Sequence, residues 1–236
     1  MPADLTSALQ EASHVLASAA PDAAGDPFLR DQPEILGAHP VWLGYLSTTG
    51  VYGDHGGAWV DESTALTPAT TRGAWRVAAE AAWARAAETM GTGLHVFRLA
   101  GIYGPGRGPF QKVKDGSARR IIKQGQVFSR IHVEDIAQAV WASMTAPVAA
   151  GRIYNLCDDD PAPPEDVLAH AAELLELPPP PAIPYESAEM TPMARSFYAE
   201  SKRVSNARMK QELGVSLLYP SYREGLAALL AAEDQG

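Results

Sequence analysis

Short apolar, β-rich runs alternate with stretches of helical periodicity along the first two-thirds of the chain, the pattern of βαβ units on a parallel sheet. Residues 14–19 (HVLASA), 41–47 (VWLGYLS), 94–99 (LHVFRL) and 152–156 (RIYNL) read as strands. A helix is predicted within 27–36, and the longest one over 71–90, where Trp75, Ala79, Ala82, Trp83 and Ala86 share a face. A glycine-rich segment runs from the second strand to Gly57. After residue 99 the texture changes. Residues 101–108 (GIYGPGRG) read as loop, and 120–133 as a hairpin turning at Gln124-Gly125. Residues 133–144 form an amphipathic pattern, and 165–175 a helix that stops before the proline run 178–181, which reads as a stiff linker. From Ser201 onward two short helices are predicted on either side of Tyr219-Pro220, and no internal repeat is visible.

Composition narrows the class. The 236 residues carry 19 Lys+Arg against 28 Asp+Glu, a net charge of −9. That balance argues against nucleic acid or an anionic membrane as partner, since both select a basic excess. One cysteine, Cys157, leaves no disulfide framework and no cysteine-based zinc site. The six histidines, at 14, 39, 55, 95, 132 and 170, show no metal-ligand spacing, and Asp158, Asp159 and Asp160 read as a solvated loop, so no metal is expected. The start, MPADLTSALQEA, has no basic segment of the secretory kind, and no run approaches the roughly 20 apolar residues of a membrane span. A cytoplasmic protein is expected.

A dinucleotide-binding sheet opens with a strand, a glycine-rich turn and a helix whose first amides receive the pyrophosphate. Nothing before His14 reads as a strand, and residues 19–25 (AAPDAAG) supply one glycine where that turn needs three.

Four segments, 45–53 (YLSTTGVYG), 99–105 (LAGIYGP), 130–139 (RIHVEDIAQA) and 153–160 (IYNLCDDD), occur in that order. Together they resemble the extended short-chain dehydrogenase/reductase superfamily, its NAD-dependent epimerase/dehydratase group, and its atypical bacterial members in particular. The resemblance runs from about Asp4 to Leu230. It implies an α/β fold: an incomplete doubly wound, Rossmann-like parallel sheet with a small C-terminal α+β substrate lobe. Residues 1–105 would form the partial Rossmann-like domain and 106–236 the lobe, with 130–160 returning to the sheet. Residues 14–19 would be the family's fourth strand, and the first units, roughly fifty residues with the phosphate loop, would precede Met1. A truncated version of a longer protein is therefore expected, with the apolar edge of that strand unpaired.

The resemblance also places a site. Redox members use a Ser or Thr, a Tyr, and a Lys one helical turn later; the ammonium lowers the phenol's pKa so that it can pass a proton. Thr48 matches the Ser/Thr position, either as a hydroxyl facing a ligand or as a residue bonding its own turn. The Tyr and Lys positions fall on Arg72 and Arg76, which stay protonated and cannot exchange a proton at neutral pH. These two could clamp an anion, or form a solvated face paired with Glu80. Tyr52 is a candidate replacement phenol, and so is Tyr103, which the family would rather place beside the nicotinamide. Cofactor contacts are implied at Ser18, Ala19, Ala20, Ser47, Tyr103 and Gly104. His132 and Asp135 read as structural, with Asp135 in a helix's first turn. Basic residues collect at 112–130 and again at Lys202, Arg203 and Arg208; Arg119, Arg120 and Arg130 are the expected substrate contacts.

The expected activity is that of an NAD(P)-dependent epimerase/dehydratase-like protein acting on an anionic small molecule or nucleotide sugar. NAD or NADP is the implied cofactor, and a small molecule the implied partner; the family allows a homodimer. The degenerate Arg72 and Arg76 leave open a non-catalytic, NAD(P)-linked binding or sensor protein, and the missing glycine-rich turn leaves open a form that binds no cofactor.

Overall fold

The structure, a computed structural model, describes residues 4–146 and 151–233. In chain order, α1 (Asp4–Glu11), β1 (His14–Ala17), α2 (Pro27–Asp31) and β2 (Trp42–Thr48) are followed by β3 (Trp59–Val60), α3 (Thr71–Met90), β4 (Leu94–Leu99) and β5 (Gly101–Tyr103). Then come α4 (Phe110–Lys114), β6 (Arg120–Ile122), β7 (Arg130–His132), α5 (Val133–Thr145), β8 (Ile153–Leu156) and α6 (Pro164–Leu174). The last elements are β9 (Ala182–Pro184), α7 (Pro192–Phe197), β10 (Arg203–Val204), α8 (Ala207–Leu213) and α9 (Tyr222–Glu233). The main sheet is parallel throughout, in the order β1-β2-β4-β8, as βαβ units require. β1 is an edge strand, and its Leu16 is exposed.

Period-two alternation divides the sheet into two faces. Trp42, Phe97, Leu99, Tyr154 and Leu156 pack on α5 and α8, while Val15, Leu43, Tyr45 and Val96 pack on α3. All six residues of β4 are buried, His95 and Arg98 among them, which explains why its sequence does not alternate. α3 starts at Thr70, whose hydroxyl caps the Gly73 amide, and ends at Gly91 in the left-handed conformation. Its buried stripe is Ala79, Trp83, Ala86, Ala87 and Met90, with Trp83 Nε1 donating to Asp26 Oδ2 at 3.0 Å. Trp75, expected on that stripe, lies at its half-buried margin.

A third cluster joins β5, α4, α6 and α9 through Tyr103, Phe110, Val167, Ala171, Tyr222 and Leu226. α9 approaches β5 closely enough that a Cβ at Gly225 would lie 2.1 Å from the Tyr103 hydroxyl oxygen. Only glycine fits there. The chain leading into α9 is held by Asp135, whose carboxylate accepts the amides of Leu218 (2.7 Å) and Tyr219 (3.2 Å).

Three expectations are corrected. Residues 120–133 form no hairpin: β6 pairs parallel with β9, and β7 pairs parallel with β5. Gly125 does take a turn with positive φ, but the partners of its flanking strands are distant in sequence, so turn chemistry could not reveal them. Residues 101–103 are strand rather than loop, followed by the tight turn in which Gly104 and Arg107 exchange backbone hydrogen bonds. The proline run is pinned rather than linker-like, since Pro180 O accepts Arg120 Nε at 2.8 Å and Pro181 O the Arg120 amide at 2.9 Å.

Candidate functional site

The carboxyl ends of β2 and β4 open into a cavity of about 1730 Å³, the place where open α/β sheets bind ligands. The sheet side consists of residues 46–50 and 99–103 and the first turns of α3; residues 106–109, 128–130, α7, Tyr222 and Leu226 face them. Arg72, Arg76, Arg107, Arg130 and Lys202 reach this cavity, against one carboxylate, Glu200. Lys202 Nζ is already held by Glu200 Oε2 at 2.6 Å and Gly53 O at 2.7 Å. Among the described residues, no carboxylate pairs with Arg72, Arg76, Arg107 or Arg130.

Arg72 is exposed at the N-terminal turn of α3. Arg76 turns inward, donating from Nη1 to Leu46 O at 2.8 Å and Tyr45 Oη at 3.1 Å, with its guanidinium over the Tyr45 ring. Burial pushes the Tyr45 phenol up to about 12, so it stays a neutral partner. The expected pairing of these arginines with Glu80 does not form. Glu80 belongs instead to a buried network beneath the cavity floor.

That network follows from register. Ser47, Arg98 and Asn155 stand side by side on β2, β4 and β8, on the face that α3 covers. Glu80 reaches from α3 to accept from Ser47 Oγ (2.5 Å), Arg98 Nε (3.2 Å) and Arg98 Nη2 (2.8 Å). Arg98 Nη1 donates to Tyr52 Oη at 3.0 Å, and that hydroxyl donates to Asn155 Oδ1 at 2.7 Å. Every member is buried, and burial raises the Tyr52 phenol's pKa against the opposing pull of Arg98.

The expected site residues separate accordingly. Ser18, Ser47, Thr48, Arg72, Arg76, Tyr103 and Arg130 line the cavity; Ala19, Ala20, Tyr52, Gly104, Arg119 and Arg120 do not. Thr48 Oγ1 accepts the Gly50 amide at 3.2 Å, the turn bond considered for it, and the residue lines the cavity. Tyr103 packs below the rim, its phenol held up by burial and by Asp158 and Asp135 nearby. Arg119 bonds back to Gly116 O and Ala118 O, and Arg120 to Pro180 O. Arg130 donates from Nη1 to Phe128 O and Ala162 O, at 2.9 and 3.1 Å, and desolvation lowers its pKa, though arginine remains charged. His132 accepts the Glu134 amide as the cap of α5 and packs at a tilt against the Tyr219 ring, a structural role.

Other residues went unforeseen. Asp158 is not part of a solvated loop: it is 1% exposed, and both carboxylate oxygens lack a partner in hydrogen-bond geometry. Burial pushes its carboxyl up to about 8, against the field of Arg130 and the nearby amides of Asp160 and Arg130. Nothing in the run of three aspartates marks which one turns inward. Arg98 did leave a signal, as a charge inside an otherwise apolar strand, because such a charge needs a buried partner.

The amides at the start of α2, the helix that follows β1, are taken. Asp26 caps α2, accepting the Phe28 and Leu29 amides at 3.0 and 3.1 Å, and the one glycine before it, Gly25, closes a turn with Asp22. A carboxylate at a helix N-terminus repels the diphosphate that such a terminus would otherwise attract. Thus the turn between β1 and α2 offers a capped helix terminus and one glycine, which do not fit a diphosphate.

Comparison with known proteins agrees with this architecture. A functionally unknown conserved protein from Silicibacter pomeroyi superposes with a TM-score of 0.87 at 59% identity, over 94% of this chain and 78% of that one. The UDP-glucuronic acid 4-epimerase of Bacillus cereus, solved with NAD, superposes with a TM-score of 0.76 at 15% identity, over 99% of this chain and 78% of that one, which shows the shared fold. Protein YeeZ of Escherichia coli K12 is 36% identical over 115 residues, so the match spans 48% of this chain but only 38% of that relative. Residues 34–157, more than half of the chain, match the NAD dependent epimerase/dehydratase family from β2 through the end of β8. On that match, and with a parallel α/β sheet carrying the expected motifs, the chain belongs to the NAD-dependent epimerase/dehydratase family.

Proposed function

We propose that this chain binds an anionic small molecule in the cavity at the carboxyl ends of β2 and β4, as the substrate side of an NAD(P)-dependent epimerase/dehydratase-like protein. Residues 1–105 would carry the sheet and 106–236 the substrate lobe, with 130–160 returning to the sheet. The observation that carries the reading is the set of four arginines around one cavity with no carboxylate partner among the described residues, in a chain of net charge −9. An apolar-walled cleft focuses such charge on whatever anion enters. A nucleotide sugar is the substrate class suggested by family relatives such as the Bacillus cereus epimerase.

Within that cavity Thr48 would orient a substrate oxygen, and Arg130 and Arg107 would hold the anion. No step is assigned to Arg72 or Arg76 as an acid or base, because a guanidinium holds its proton at neutral pH. NAD or NADP, when bound by the family, supplies hydride chemistry; the residues on this side bind and orient. The same two arginines support a second reading, a non-catalytic NAD(P)-linked binding or sensor protein.

Calorimetric titration of the purified chain with UDP-glucuronate, and separately with NAD(H) and NADP(H), tests the proposal. Anion binding that weakens with added salt, and about tenfold on Arg130→Gln, supports it. Absence of any anion binding refutes it. Turnover of a bound anion with NAD(H) would decide for the enzyme over the sensor.

A further inference from the structure

Resting on that reading of the cavity as an anion site, we propose that its ligand is an acid with an apolar body, an aryl or alkyl carboxylate, rather than a nucleotide sugar. Beside hydroxyls, sugar-binding sites draw on amides, carboxylates and imidazoles, whose acceptors and donors fix each sugar hydroxyl in place. Among the described residues lining this cavity there is no Asn, Gln, Asp or His. Its one carboxylate, Glu200, is committed to Lys202. Across from the sheet each of three hydroxyls already makes one bond within the protein: Ser129 Oγ accepts the Val204 amide (3.0 Å), Thr191 Oγ1 the Ala194 amide (3.1 Å), and Ser196 Oγ donates to Met193 O (2.7 Å).

The wall offers apolar surface instead. Met193 and Phe197, one turn apart on α7, are 52% and 60% exposed and both border the cavity. Phe128, Val167 and Leu226 continue that surface, and Ile102 faces it from β5. An apolar ligand removes this area from water at roughly 25 cal/mol per Å². Arg130 supplies the complementary end. With Nη1 engaged by two carbonyls, its Nε and Nη2 edge has no partner among the described residues. One guanidinium edge fits one carboxylate through two parallel hydrogen bonds. Charge at one end and apolar surface around the body describe an amphiphilic monoanion.

The test is calorimetry of the purified chain with cinnamate, its neutral counterpart cinnamyl alcohol, and UDP-glucuronate. Cinnamate is expected to bind at least about tenfold more tightly than either of the others. Phe197→Asn should weaken cinnamate about tenfold, with an unchanged far-UV circular dichroism spectrum because the side chain is exposed in the free protein. Equal binding of cinnamate and cinnamyl alcohol would overturn the inference by removing the arginine from recognition. Tighter binding of UDP-glucuronate, indifferent to Phe197→Asn, would overturn it while leaving the anion site standing. If no anion binds, the proposed function falls with it.

Discussion

Arg98 and Arg130 sit close to the same cavity, yet their surroundings are opposite. Arg98 lies beneath the floor with every nitrogen engaged, two by Glu80 and one by Tyr52. Arg130 lies in the wall with two carbonyls on one nitrogen, no carboxylate in contact, and a buried carboxyl, Asp158, near it without a hydrogen bond between them. The first arrangement satisfies itself, fixing the ends of three strands to α3. The second remains incomplete, with a charge and a free hydrogen-bonding edge held in place before any ligand arrives. A stable polar network and a receptive one thus differ less in residue type than in whether the protein supplies the counterion.

Removing counterions should separate the two regions most sharply at Glu80. In Glu80→Ala the Arg98 guanidinium stays buried, with the pair's side chains only 3% and 9% exposed, and its charge loses compensation. The expected loss is about 3–5 kcal/mol in urea denaturation. A loss under about 1 kcal/mol would show that water or another group replaces Glu80, and the contrast with Arg130 would weaken. Asp158 should behave in the other direction. The folded chain keeps a proton on its carboxyl up to about pH 8, whereas the unfolded chain releases it near pH 4. Its contribution to stability is therefore complete below about pH 4, declines as pH rises, and is gone above about pH 8. Asp158→Asn removes that slope and should raise stability at pH 8 by about 1–3 kcal/mol, the full gain being offset where Arg130 loses a nearby carboxylate. Thermal melts of parent and variant at pH 6 and pH 8 measure it; parallel pH dependence would mean that Asp158 is ionised in the folded protein.

This contrast also marks where the sequence could be read and where it could not. The four sheet strands, α3 and α5 announce themselves by period, because burial on one face or two imposes an apolar pattern along each element. Thr48, Arg72, Arg76, Tyr103 and Arg130, which the motifs single out, all line the cavity, since their positions relative to strand ends are local facts. What escaped depends on pairs distant in the chain. β6 finds its partner in β9 some sixty residues away, and Arg120 is tied to Pro180 there rather than to the cavity. Helical spacing pairs Glu80 with the adjacent turn of its own helix, but Ser47 and Arg98 approach it across the sheet. Asp158 shares its composition with two neighbours of which it alone is buried. In each case the deciding contact joins residues far apart in the chain, and for Glu80 and Asp158 it comes with burial that belongs to the assembled fold.

Smaller effects refine the comparison. Tyr52→Phe deletes the hydroxyl between Arg98 and Asn155 while keeping the ring, leaving Asn155 Oδ1 and one guanidinium nitrogen unsatisfied. About 1–2 kcal/mol should be lost in denaturation. Because Tyr52 does not line the cavity, anion affinity should change by less than about twofold. A larger change would place Tyr52 in the site. Arg72→Gln should show the reverse. The side chain is exposed and pairs with no described carboxylate, so stability should move by no more than about 0.5 kcal/mol. Its charge still contributes to the field over the cavity mouth, so the association rate of an anion should fall measurably at low salt and converge with the parent's at high salt. A stopped-flow salt series on the two proteins reads this directly. If the rates coincide at every ionic strength, Arg72 is a solvated surface residue and the receptive region shrinks to Arg76, Arg107 and Arg130.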